Sequence, residues 1–108
     1  MEKTDLNELI ARSLKIRERY HELEVEHHGS EWTVEEDALA FLTDAAMVGR
    51  LTMSQQGRWP AGKSGNAELE HKLGESIWWL VVLADRMDID IQDALAKFLT
   101  KTEKLIKK

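Results

Sequence analysis

Asp44 and Glu75 are the residues whose type and placement most clearly invite chemistry. Asp44 sits inside ALAFLTDAAMVGRL, with Ala40, Met47 and Leu51 at helical spacing, and Glu75 precedes IWWLVVLA, with Trp78, Trp79 and Val82 at helical spacing. A carboxylate in an apolar stretch must ionise beside a cation, accept hydrogen bonds or have its pKa raised, because an unpaired charge in a core costs several kcal/mol or more. Two such acids on neighbouring helices point to a cation site. Residues three apart share a helix face, so a D/E-x-x-D/E pair on each of two adjacent helices offers four carboxylates around one point. Such a cage suits Mg²⁺, a hard ion that takes oxygen ligands, bridges phosphates and polarises an attacking water.

The elements that must position these acids read as helices. Leu6, Leu9, Ser13, Ile16, Tyr20, Leu23 and His27 alternate three and four apart, which predicts an amphipathic helix ending at His28-Gly29. Thr33-Val-Glu-Glu36 reads as a capping box that opens a second helix running to about Gln56. That helix is apolar on nearly every side between Ala38 and Leu51, so it is expected to be central or to face a second subunit. GRWPAGKSGN, residues 57 to 66, is glycine-rich, holds the only proline and predicts a loop, with Asn66 as the candidate cap of a third helix over about Ala67 to Met87. Leu69, Leu73, Ile77, Leu80 and Ala84 form its expected buried stripe, widened by Trp78, Val81, Val82 and Leu83. Asp90 is placed to cap a fourth helix carrying Ile91, Ala94, Leu95, Phe98, Thr102 and Leu105. The expected architecture is one all-α domain over residues 1–108, a four-helix bundle without strands or repeats.

Bulk properties exclude several functions. The net charge is −5 with scattered basic residues, so neither nucleic acid nor an anionic membrane is an expected partner. With no cysteine there is no disulfide framework and no thiolate zinc site. MEKTDLNELI lacks the layout of a signal peptide and the apolar run from Ile77 to Ala84 is far too short to span a bilayer, so the cytoplasm is the expected compartment.

Other motifs carry less. Gly57-Arg-Trp-Pro-Ala-Gly62-Lys63-Ser64 matches a phosphate-binding loop letter for letter, but that loop needs a strand leading in, and here a helix does. Arg58, Lys63 and the first amides of the third helix remain candidates to touch a ligand phosphate. Glu68-x-x-His71 occurs once, whereas a di-iron bundle needs it on two helices. His27 and His28 fit a helix C-terminus, and Glu35-Glu36-Asp37 fits the first turn of the second helix. Trp78 is a candidate for stacking on a base. Trp78 and Trp79 leave the helix about 100° apart and are not expected to share one pocket.

HGSEWTVEEDALAFLTDAAMVGRL followed by HKLGESIWWLVVLADRMDIDIQDAL resembles the MazG-like all-α nucleotide pyrophosphohydrolases, whose motifs E-E-x-x-E and E-x-x-D build a magnesium cage. The resemblance covers most of the chain. It implies the fold of the all-α NTP pyrophosphatases, splitting of a nucleoside triphosphate into monophosphate and pyrophosphate, Mg²⁺ as cofactor, a nucleotide as ligand, and assembly into a homodimer or homotetramer. Superposing the motifs puts the four ligand positions at Asp44, Met47, Lys72 and Glu75. Two acids and one lysine leave a formal charge of −1 there, where the family carries −4. The resemblance then implies that Asp44 and Glu75 hold the metal, that Lys72 replaces a second cation as part of the catalytic set, and that Arg58, Lys63 and Trp78 contact substrate, with weak activity. The alternative keeps the fold without the reaction: a helical binding or oligomerisation module whose Lys72 pairs with both acids.

Overall fold

The computed structural model describes residues 5–58 and 65–107. Four helices, α1 (Leu6–His28), α2 (Val34–Gln55), α3 (Gly65–Arg86) and α4 (Ile91–Ile106), account for most of them, and no strand occurs among the described residues. Local chemistry sets most of the boundaries. The Asp5 carboxylate accepts from the Glu8 amide at 2.8 Å, and α1 closes on Gly29, whose φ of 80° a glycine adopts without strain. The capping box of α2 is formed in full. Thr33 Oγ1 accepts from the Glu36 amide at 3.1 Å, and Glu36 Oε1 accepts from the Thr33 amide at 2.8 Å.

Helix α3 is described from Gly65 onward, so Asn66 lies inside it and does not cap it from outside, contrary to the sequence expectation. At its other end the Ile89 amide donates to Ala84 O and the Asp88 amide to Asp85 O, a pattern that wraps a helix terminus through one left-handed residue. Asp88 fills that position with φ 58°, where glycine is usual. Asp90 then caps α4 as expected, accepting from the Asp93 amide at 2.9 Å.

Helix α3 is the centre: α2 packs along it most extensively, α1 lies on a second side, and α4 meets its end. Five of the six buried apolar residues (Trp79, Val81, Val82, Leu83 and Ala84) come from its second half, with Leu51 from α2. The predicted stripe of α3 is another matter. Leu73, Ile77 and Leu80 are exposed, Ile77 at 63%. They lie roughly 100° to 160° around the helix from Trp79, which faces α2, so they point away from that contact. Leu6, Leu9, Ile16 and Tyr20 of the α1 stripe are exposed too, and Arg17 takes the inward position. On α2, Leu39, Leu42 and Met53 are exposed on the side opposite α3, and α4 buries none of its residues.

The result is an unusually large surface, 8721 Å² for 12.4 kDa. A compact monomer of that mass exposes about 6,100 Å². None of the helices among the described residues is long and apolar enough to cross a membrane.

Candidate functional site

Asp44 from α2 and Glu75 from α3 do converge, and Lys72 stands between them. Its ammonium donates at 3.0 Å to Asp44 Oδ1 and at 3.0 Å to Glu75 Oε1. The second bond is local, because residues three apart on a helix share a face. The first joins two helices. Asp44 Oδ2 is also taken, accepting from the Trp79 indole N–H at 2.8 Å. Burial alone would raise the Asp44 pKa, but the hydrogen bonds from Lys72 and Trp79 outweigh it and hold the carboxyl below its ordinary value. The two carboxylates in turn hold the Lys72 ammonium above its ordinary range against a smaller effect of burial. Lys72 and Asp44 thus each favour the ionised form of the other.

This donor set does not fit Mg²⁺ as it stands. Both acids are already ion-paired by Lys72, and Met47, half-buried one helical turn from Asp44, brings a thioether that a hard cation does not choose. Among the described residues no group of three or more His, Cys, Asp or Glu side chains is arranged to hold a metal ion.

The other candidates separate. Arg58 is exposed just beyond α2, where its amide donates to Met53 O at 2.8 Å. Lys63 lies outside the described residues, as does most of the run that matches a phosphate-binding loop. Trp78 is half-buried, and its indole N–H donates to Ser13 O on α1 at 3.0 Å. It meets Tyr20 and Trp79 edge-on, at centroid distances of 5.8 and 4.7 Å.

Trp78 and Trp79 also line the same groove, which overturns the expectation that they could not. Their Cβ atoms diverge, yet the long indoles swing back until the rings touch. The groove runs between α1 and α3 with a volume of about 910 Å³, and Tyr20, Trp32 and Glu75 share its wall.

A second polar cluster has no counterpart in the sequence reading. Asp37, whose charge suits the first turn of α2, is 0% exposed and accepts from Arg17 Nη2 at 2.9 Å and from Arg86 Nη1 at 2.8 Å. Arg17 also donates to Glu24 Oε2 at 2.8 Å. Glu24 accepts the Trp32 amide at 2.8 Å, and Arg86 donates to the Trp32 carbonyl at 2.7 Å. One buried carboxylate thus ties α1, α2, α3 and the α1–α2 turn together. The legible signal was Arg17, His21 and Glu24 at helical spacing, a polar line that aims inward between apolar neighbours.

No protein-family model, no curated protein and no solved structure matches the chain.

Proposed function

We propose that the chain is an all-α domain of the MazG type in which a divalent-cation cage has become a lysine-centred ion triad, and that it acts as a non-catalytic binding and oligomerisation module. The supporting observation is the position of the Lys72 ammonium, 3.0 Å from an oxygen of each acid, with Trp79 on the remaining oxygen of Asp44. An ammonium fixed there supplies one positive charge in place of two divalent ions and offers no open coordination position to phosphate or water. Pyrophosphate release from a panel of nucleoside triphosphates with Mg²⁺ tests this. The module gives no release above an enzyme-free blank and no Mg²⁺-dependent rise in melting temperature. Release that disappears in Asp44→Ala would overturn it.

One observation favours a second reading, a weak nucleotide pyrophosphohydrolase. Asp44 and Glu75 come from different helices and meet at one point, as two ligands of a shared Mg²⁺ must. That reading requires Lys72 to withdraw, leaving Arg58 and Lys63 to steady a triphosphate. The same assay separates the two.

The module is proposed to pair with a second copy. Leu39, Leu42, Ala46, Gly49 and Met53 repeat three and four apart on the open side of α2, and Leu73, Ile77 and Leu80 do so on α3. The surface exceeds that of a compact monomer of this mass by roughly 2,600 Å². A standard interface removes about 800 Å² from each partner. Light scattering is expected to give a dimer or tetramer, and a monomer at micromolar concentration would contradict the pairing.

A further inference from the structure

We propose that the groove between α1 and α3 is a binding site for a small organic cation, an alkylammonium or quaternary ammonium compound. This gives the binding-module reading a ligand class, and so rests on that reading; the groove adjoins the ion triad, with which it shares Glu75 and Trp79.

The wall of the groove is aromatic and has few free donors. The indole N–H groups of Trp78 and Trp79 are both spent inside the protein, on Ser13 O and Asp44 Oδ2. Those bonds fix the rings: half-buried Trp78 presents ring surface to a ligand, and Trp79, only 7% exposed, backs it. Tyr20 adds an edge-on neighbour. Trp32 stands at the wall on a backbone held from both sides, its amide on Glu24 and its carbonyl on Arg86.

The charge of the lining is negative. Three glutamates, Glu24, Glu70 and Glu75, face one arginine and His71; Glu24 is held by Arg17 and Glu75 by Lys72, so Glu70 is the lining carboxylate without an ion pair among the described residues. That arginine, Arg17, is committed to Glu24 and Asp37. A phosphate-bearing ligand would enter against this charge and find no uncommitted lysine or arginine among the lining residues. A cation meets the opposite situation, because aromatic ring faces carry negative potential and attract cations. The protein already uses that attraction here, with the Arg17 guanidinium carbon 6.0 Å from the centroid of the Trp79 ring. A volume of about 910 Å³ is within the range of small-molecule sites, and an apolar body with a charged head matches rings backed by carboxylates.

The test uses the full chain, with intrinsic tryptophan fluorescence and calorimetry as readouts and cationic probes that contain no phosphate. Choline and benzyltrimethylammonium are titrated beside 3,3-dimethylbutan-1-ol, the neutral isostere of choline, and beside AMP without metal. The expected result is saturable binding of the cations, at least about tenfold tighter than the neutral isostere, with AMP weaker than either cation. Glu70→Gln, at an exposed position of α3, is expected to weaken choline severalfold without changing the far-UV spectrum. Equal affinity for the neutral isostere, tighter binding of AMP, no saturable response to either cation, or an unchanged affinity in Glu70→Gln would each overturn the proposal. Pyrophosphate release bears on the non-catalytic reading alone, so failure of one is distinguishable from failure of the other.

Discussion

Replacing Lys72 by methionine keeps most of the side-chain stem and removes the charge that Asp44 and Glu75 share. The wild-type ammonium makes two charge-assisted hydrogen bonds of 3.0 Å, and bonds of this kind contribute about 1.5–3 kcal/mol each. The side chains of Asp44, Lys72 and Glu75 are 14%, 22% and 29% exposed, so solvent screening brings the two together to roughly 2–3 kcal/mol. At about 4–8 °C per kcal/mol for a domain of this size, Lys72→Met should melt at least about 8 °C lower at pH 7.5. The pH dependence is the sharper signature. In the wild type the Asp44 pKa is depressed by folding, so its contribution is present above the unfolded value of about 4 and is lost as pH falls through the folded one. Lys72 is raised, so its contribution is present below about pH 10.4 and lost as pH rises through the folded value. In the variant two carboxylates face one point without a counter-charge, which raises the pKa of one of them. The variant should therefore recover stability relative to wild type between pH 7.5 and pH 5. Urea denaturation followed by circular dichroism at one protein concentration measures both effects. A loss under about 0.5 kcal/mol, or pH profiles parallel to wild type, would refute the reasoning.

Asp37→Asn should cost about 3–5 kcal/mol in chemical denaturation, because it leaves Arg17 and Arg86 facing a neutral group in a fully buried site; a loss below about 1 kcal/mol would contradict that role. Asp88→Gly should raise stability by about 0.5 kcal/mol by relieving a left-handed backbone at φ 58°, and a destabilised variant would show that the Asp88 side chain contributes more than its backbone costs. Leu42→Glu combined with Ile77→Glu should give a monomer in light scattering with its helical spectrum intact, since both residues are more than half exposed in the single chain; an unchanged oligomer would place the interface elsewhere.

Helix boundaries were legible where a cap is a local bond. Gly29, the Thr33–Glu36 pair and Asp90 all act within a few residues of themselves, so their types and spacing sufficed, and the Asp5 cap, equally local, went unread. Asn66 misled because its residue type permits a cap without requiring one. The facing of the helices was less legible. Periodicity shows that Leu73, Ile77 and Leu80 form an apolar face, but what covers that face depends on where α1 and α2 land. The triad was half legible: Lys72 and Glu75 pair by helix geometry alone, whereas the reach to Asp44 came from the resemblance and needed the α2–α3 register. Asp37 was opaque for a similar reason. Near a helix N-terminus an acid already has a sufficient local explanation, and only the arrival of Arg17 from α1 and Arg86 from α3 buries it.

In the proposed reading, Asp44, Met47, Lys72 and Glu75 surround one point at which a lysine stands in place of divalent cations. Calorimetric titration of Mg²⁺ into the folded double variant Met47→Glu/Lys72→Glu asks this most directly, since four carboxylates around a shared point make an oxygen cage. Saturable Mg²⁺ binding by the double variant, absent in the wild type under the same conditions, is the expected result. A folded double variant that binds no Mg²⁺, or a wild type that binds it equally well, would contradict that arrangement.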